Sequence, residues 1–332
     1  MLLAGDIGGT KTILALYTPE KGPYYPIAEK RYPSASYHSL EAIIQDYLDN
    51  TQETISSASF GVAGPVIAGK ANVTNLSWKI EAAKLKERFN WQATYLLNDL
   101  EAIAYAIPNL EKKDLFLLSE GEAIPGGSIA VIAPGTGLGE AYLTWDGIRY
   151  RAHGSEGGHV DFAPTNQIQL SLLEFLHNEL HYEHVSYEQV CSGLGIWNIY
   201  RFLIHSGIVQ EPTWFAKEIA KLEDPVPLIA STALDPNLEC EICQKTLELF
   251  VSILGAETGN MGLNLLSTGG IYLGGGIPPR ILPALQTDHF IQAFYNKGRL
   301  SKVLKNIPIN VITYPHSALM GAACFGLHPY DW

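Results

Sequence analysis

Four turns in this 332-residue chain carry the side chains and backbone that could do chemistry, and each follows a strand-like run. They are Asp6 to Thr12, Asn98-Asp99, Gly135 to Gly139 and Gly274 to Gly276. Glycines let a turn reach φ > 0 and bring its N–H groups close to an anion. A carboxylate at a strand end can take the proton of a hydroxyl as that hydroxyl attacks. In open α/β sheets ligands lie beyond the carboxyl ends of the strands. One cleft could therefore collect two phosphate-facing turns, a carboxylate and a glycine patch lying against a nucleotide.

The elements that must position these groups are readable in part. Met1 to Tyr17 (MLLAGDIGGTKTILALY) is an apolar run, a glycine turn and a second run rich in strand formers, which predicts a β-hairpin. Residues 5–12 miss the phosphate-loop pattern G-x-x-x-x-G-K-[ST] by one residue, with Thr10 where the last Gly should be. A true phosphate loop continues into a helix. Here Ile-Leu-Ala-Leu-Tyr follows and Pro19 comes soon after, so the hairpin is preferred. Ser128 to Thr144 (SIAVIAPGTGLGEAYLT) repeats the pattern, which suggests two related halves, each with one phosphate-facing turn. Neither turn is G-x-G-x-x-G, so a dinucleotide fingerprint is weak, and two ordinary tight hairpins are the bland alternative.

Between the turns the pattern alternates strand and helix, the mark of α/β architecture. Ser39 opens a helix with Leu40, Ile43, Ile44, Tyr47 and Leu48 on one face. Residues 58–66 read as a strand into a Gly-Pro loop, 72–78 as polar loop, and 81–89 as a short helix. A strand over 94–97 ends at Asn98-Asp99, and a helix runs from Leu100 to Ile107, before Pro108. Further on, 170–180 and 193–204 read as helices, and Ser186 with Gln189 makes a capping box. Residues 237–266 predict a long helical region interrupted near Gly255 to Gly262, 271–273 a strand, and Pro278-Pro279 the opening of another helix. A strand at 311–313 leads into a helix of small residues over 317–325, expected to return to the first domain.

Composition narrows the class. Hydrophobic content of 47% and charged content of 17% fit a globular protein, and the length suffices for two domains. Thirty-four acidic against 22 basic residues, a net charge of −12, argue against broad nucleic-acid binding. No apolar run reaches the length of a membrane helix, and Asp6 interrupts the apolar N-terminus before it can resemble a signal peptide. The cytoplasm is the expected location. Cys240 and Cys243 form C-x-x-C without a second pair, inside an amphipathic helical pattern, so chance helical spacing is preferred over zinc or redox chemistry.

The ordered set GDIGGTKT (5–12), LLNDLEA (96–102), APGTGLGEA (133–141), SEGGHVDF (155–162), YEQVCSGLG (187–195) and YLGGGI (272–277) resembles the bacterial glucokinases. These belong to the actin-like sugar-kinase superfamily shared with hexokinase. The resemblance implies a two-domain, ribonuclease H-like α/β fold: each domain a mixed sheet flanked by helices, with a cleft between them. The expected domains are 1–109 plus 315–332, and 110–314. The resemblance also implies ATP-dependent phosphorylation of glucose at its 6-hydroxyl, with Asp99 as general base. Gly5, Asp6, Ile7, Gly8, Gly9 and Thr10 would hold ATP with Gly135, Thr136 and Gly137, while Gly274 and Gly275 would face the adenosine. Asp6 would stand in the outer shell of Mg²⁺. Asn98, Asp99, Glu156, His159 and Glu188 would read the sugar hydroxyls. A related repressor and kinase group carries a Cys-rich zinc loop after its Glu-Gly-Gly-His segment; residues 160–180 contain no cysteine, so zinc is not expected. A homodimer is a family-level expectation only.

Taken singly these residues have plainer readings. An Asn-Asp pair before a helix is commonly an N-cap. Glu188 in a first turn suits the helix dipole, and His159 alone would be an ordinary surface or core histidine. Another hexose, such as mannose or an amino-hexose, remains an alternative substrate. A non-catalytic sugar sensor on the same fold would normally carry a DNA-binding helix pair before the first turn, where only four residues precede Gly5. An actin-like ATPase would keep the phosphate hairpins but have no use for Glu156, His159 and Glu188.

Overall fold

A computed structural model describes residues 1–328. The described chain divides into two compact units. The first comprises Met1–Asp114, Ala141–Gly154 and the segment from Tyr314; the second comprises Leu115–Glu140 and Ser155–Thr313. Of the C-terminal stretch expected in the first domain, residues 329–332 lie outside the described residues.

In the first unit β1 (Leu2–Ile7) and β2 (Lys11–Tyr17) form the expected antiparallel hairpin, with Asp6 opposite Ile13 and Ile7 opposite Thr12. β3 (Ala28–Pro33) extends it. The helix α1 (Leu40–Asp49) is capped by Ser39, whose hydroxyl accepts from the Ala42 N–H at 3.3 Å. β4 (Ser57–Val62) then returns parallel to β1. Three short strands follow, β5 (Val66–Ile67), β6 (Lys70–Asn72) and β7 (Lys79–Glu81), as a small antiparallel sheet. The pattern predicts polar loop over 72–78; Asn72 instead pairs with Lys79, and Val73 and Trp78 are buried. Strands of two or three residues leave too few alternations for a periodic signal. α2 (Ala82–Phe89), β8 (Ala93–Asn98) and α3 (Asp99–Ala106) complete the run. The main sheet has the order β3-β2-β1-β4-β8.

Alternation along β1 explains how that sheet is covered on both faces. Leu3 and Ile7 join the cluster with Leu40, Ile43 and Ile44 of α1. Leu2 and Ala4 join Leu319, Ala322 and Ala323 of the C-terminal helix. Asp6 shares the second face by the same period.

The second unit opens with β9 (Leu115–Ser119). β10 (Ile129–Pro134), β11 (Leu138–Trp145) and β12 (Tyr150–Ser155) follow, and the unit boundaries pass through β11 and β12. Then come α4 (Gln167–Asn178), α5 (Gly193–Ser206), α6 (Thr213–Ile219), α7 (Val226–Leu234), α8 (Glu241–Asn264), β13 (Gly270–Leu273), α9 (Leu282–Leu285), α10 (Asp288–Tyr295), α11 (Ser301–Leu304) and β14 (Ile309–Ile312). The sheet order is β12-β11-β10-β13-β14-β9, with β10, β13 and β14 parallel and β9 an antiparallel edge. Leaving out β9, this is the strand order of the first sheet again: a three-strand run from one turn, then two parallel strands.

Three expectations need correction here. α8 is continuous through Gly255, Gly259 and Gly262. These glycines do not break the helix; they let α10 approach, with a Cβ at Gly259 only 2.6 Å from the Phe294 carbonyl oxygen. The helix propensity lost at each Gly is overridden by packing. Pro278-Pro279 open a 3₁₀ turn, Pro278–Arg280, rather than an α-helix. Pro108 sits inside a second 3₁₀ turn, Ile107–Asn109.

The last described helix, α12 (Ser317–Leu327), packs on α3, β1 and β4. Gly321 lies under the Ala102 carbonyl, where no Cβ fits. Cys240 and Cys243 flank the start of α8, both buried, with their sulfurs 3.1 Å apart. Among the described residues no helix is long and apolar enough to cross a membrane.

Candidate active site

The first unit gathers Asp6, the Gly8 to Thr10 turn, Asn98 and Asp99 at one end of its sheet. Asp6 of β1 is in register with Gly61 of β4, which faces Leu97 of β8. Two strand spacings separate β1 from β8, about 10 Å. Asp99 is the first residue of α3, and its Oδ1 accepts from the Leu100 N–H at 3.0 Å. Burial pushes the Asp99 carboxyl up to about 6; the Leu100 N–H opposes this and the Asp6 charge adds to it. Burial likewise raises Asp6, with Lys11 and His316 pulling it back.

Asn98 is the N-cap of α3. Its Oδ1 caps α3 by accepting from the Leu100 N–H at 3.0 Å, and its Nδ2 donates to the Gly64 carbonyl at 3.0 Å. That leaves one lone pair and one N–H for any ligand. Gly5 and Ile7 lie in the body of β1 between β2 and β4. Ile7 is fully buried in the core. Gly5 has no room for a side chain, because Phe60 and Leu14 would lie within 2.8 Å of a Cβ there. Both are structural supports of the turn.

The turn itself corrects one premise. Gly8, Gly9, Gly135 and Gly137 are not at positive φ; of the glycines expected at the nucleotide, only Gly275 is (φ +79°). Glycine is needed at several of these positions for space instead. A Cβ at Gly9 would stand 2.8 Å from the Thr74 carbonyl oxygen. The Gly8 N–H donates to the Lys11 carbonyl at 2.9 Å, closing the turn and leaving Thr10 exposed at its tip. Ser34, fully buried, braces it: its hydroxyl donates to the Gly8 carbonyl at 2.7 Å and meets the Thr12 hydroxyl at 3.0 Å. Ser34 and His316 give no signal in the sequence, because both reach the site from distant segments.

The second unit gathers the other set at the carboxyl ends of the neighbouring parallel strands β10 and β13. The Gly135 N–H donates to the Gly137 carbonyl at 2.8 Å, and Thr136 is exposed at the tip. The Gly135 carbonyl accepts from the Gly193 N–H, at the start of α5, at 2.8 Å. The Gly274 N–H donates to the Ile132 carbonyl at 2.8 Å, and a Cβ at Gly275 would meet the Pro134 carbonyl at 2.6 Å. Gly275 and Gly276 present bare backbone to solvent.

Beside that turn stand Glu156, His159 and Glu188. His159 Nε2 lies 4.0 Å from Glu156 and its Nδ1 4.0 Å from Glu188. Glu188 is held by the Leu138 N–H, which donates to its Oε2 at 3.0 Å, directly against Gly137. The Ser186–Gln189 capping box forms as expected, around the 3₁₀ turn Tyr187–Gln189. Glu156 and His159 are exposed and Glu188 partly so, which suits groups that read a polar ligand. The structure thus brings Glu156, His159 and Glu188 together within one unit, and Asp6, Asn98 and Asp99 within the other.

Among the described residues no three His, Cys, Asp or Glu side chains converge as a metal cage. The donor set at Asp6, a single carboxyl raised by burial, fits a cation that keeps water and phosphate ligands, as Mg²⁺ does.

Comparison with known proteins gives the family and the fold. The family description Glucokinase matches residues 3–328. A curated glucokinase of Nostoc punctiforme is 39% identical over 335 residues, covering 97% of this chain and 98% of its own. The crystal structure of a glucokinase from an Antarctic psychrotroph superposes with TM-score 0.83 at 31% identity, covering 99% of both chains. A ROK-family glucokinase from Streptomyces griseus, solved with glucose and AMPPNP, shares the fold at TM-score 0.61 and 16% identity, over 98% of this chain and 97% of its own.

Proposed function

The chain belongs to the glucokinase family, and from that premise we propose that it transfers the γ-phosphoryl group of ATP to the 6-hydroxyl of D-glucose. The products are glucose 6-phosphate and ADP. The observation that carries this reading is Asp99: a carboxyl beyond the end of β8, fixed by a backbone N–H and raised to about 6. A base of that strength is mostly ionised at neutral pH yet takes a proton readily.

As the sugar oxygen attacks the γ-phosphorus, its proton passes to Asp99 and the bond to the β–γ bridging oxygen breaks. Phosphoryl transfer otherwise depends on positioning and charge stabilisation. Backbone N–H groups at the tips of the two turns, which the Gly8 and Gly135 N–H groups close, would hold the phosphates, with the exposed Thr10 and Thr136 hydroxyls beside them. The bare backbone at Gly275 suits the flat face of adenosine, with Gly274 buried behind it. Bound Mg²⁺, with Asp6 in its outer shell, would neutralise phosphate charge. Glu156, His159, Glu188 and Asn98 would read the hexose hydroxyls, as acceptors that reject sugars lacking the right group. A reaction consuming ATP suits the cytoplasm as its location.

A coupled assay for ADP release decides the matter. Glucose-dependent ADP formation with Mg²⁺ and ATP is expected; its absence sinks the proposal. ATP hydrolysis indifferent to sugar would point to an actin-like ATPase instead.

A further inference from the structure

Glu140 and Glu257 are two acids with no role in the chemistry above, and both are almost fully buried. Glu140 is the third residue of β11, just past the Gly135 to Gly139 turn; Glu257 lies in the middle of α8. Their carboxyls are hydrogen-bonded to each other. Two carboxylates cannot share a buried hydrogen bond without a proton between them. Burial and the Glu257 charge raise the Glu140 carboxyl, and burial raises Glu257 as well, so the pair holds one proton between them.

The surroundings fit that assignment. Glu257 also accepts from Asn260 Nδ2 at 2.8 Å and from the Tyr187 hydroxyl. Lys297, the nearby cation, is tied to Asn260 Oδ1. The Cys191 thiol lies near both acids and is pushed up by burial, with the charge of the pair adding to it. Glu140 Oε1 has no hydrogen-bond partner among the described residues, and Oε2 occupies the space where a Cβ of Gly157 would be. The pair therefore touches two pieces of the sugar-reading set. Gly157 lies between Glu156 and His159, and Tyr187 is joined to Glu188.

We propose that Glu140 and Glu257 share one proton and act through it as positioning residues, holding the Glu156 to His159 loop and Glu188 in register for the hexose. This rests on the proposed reading of those three residues as the sugar contacts. Losing the shared proton sets two buried negative charges against each other, and the supports under Gly157 and Tyr187 separate. Only the protonated fraction is then competent for sugar. Neither acid is among the groups assigned to the phosphates, so the step after binding is expected to be unaffected.

The test is the pH dependence of glucose KM and kcat in wild type, Glu140→Gln and Glu140→Ala, from neutral pH to two units above the pair's ionisation. In wild type KM should rise about tenfold per pH unit past that point, because the competent fraction falls by that factor. kcat at saturating glucose should stay level over the same range. Glu140→Gln keeps an N–H donor to Glu257 and cannot ionise, so its KM should be flat across the range. Glu140→Ala should show a raised KM at every pH. Titration of Tyr187, Cys191 or Lys297 would affect wild type and Glu140→Gln alike, so equal profiles in the two overturn the proposal, as does a flat wild-type profile. Infrared difference spectra give a readout free of activity and of the alanine variant's folding. A protonated-carboxyl band should be present in wild type and missing in Glu140→Gln; no such band overturns the shared proton. A wild type with the band but no activity on glucose would overturn the positioning role and, separately, the proposed function.

Discussion

Asp99 carries an unfavourable charge for the sake of its position. Its carboxyl ordinarily titrates at 3.8 and in the fold at about 6. Between those values the unfolded chain has released this proton and the folded chain still holds it. Stability is therefore greatest below the lower value and falls as pH rises through the window. Asp99→Asn removes that loss, so its melting temperature should exceed that of wild type above pH 6 by a constant margin, and the margin should vanish in acid. The same variant should lose roughly 10²–10⁴-fold in kcat, the ordinary contribution of a positioned base. In wild type, kcat/KM should fall on the acid side near pH 6 as Asp99 is protonated; an acid limb kept intact in Asp99→Asn would show that another group is the base. Ser34 is the matching case for a support. Ser34→Ala leaves the fully buried Thr12 hydroxyl without its partner and frees the Gly8 carbonyl. A stability loss of about 1–3 kcal/mol in urea unfolding and a raised KM for ATP, with glucose KM unchanged, are expected.

Glycines separate structural from ligand-facing elements. A Cβ at Gly135 or Gly276 meets nothing within 4 Å, and neither residue is at positive φ. Gly135→Ala and Gly276→Ala should therefore fold with wild-type stability, and a rise in the KM for ATP would report contact with nucleotide. Gly321→Ala is the opposite: α12 sits too close to the Ala102 carbonyl of α3 for any side chain. Overpacking of this kind costs about 1–3 kcal/mol, read by the urea midpoint. The same contrast explains what was legible beforehand. The two hairpins, the Ser39 cap and the Ser186–Gln189 box stand out because each signal is local. The glycines of α8 mislead because a glycine that admits α10 looks, in sequence, like one that ends a helix. β5 to β7 are too short to show a period. Glu140 lies in plain view within APGTGLGEA, but its partner Glu257 is more than a hundred residues away, and only the fold brings them together.

For the molecule as a whole, the candidate sugar contacts are divided between the units: Asn98 and Asp99 in one, Glu156, His159 and Glu188 in the other. Glucose at about a hundred times its Kd should add about 2.7 kcal/mol to the stability of whatever it binds. Hydrogen exchange should then slow around both sets of residues; protection confined to Glu156, His159 and Glu188 would remove Asn98 and Asp99 from the sugar site. The repeated strand order has a further consequence. Asp6 is the penultimate residue of β1, and the same place in β10 holds Ala133. One copy of the scaffold carries an acid at that place and the other an alanine. On the proposed reading three of the five sugar contacts stand on the copy that lacks the acid, so the choice of sugar can drift in Glu156, His159 and Glu188 without touching the proposed proton acceptor Asp99.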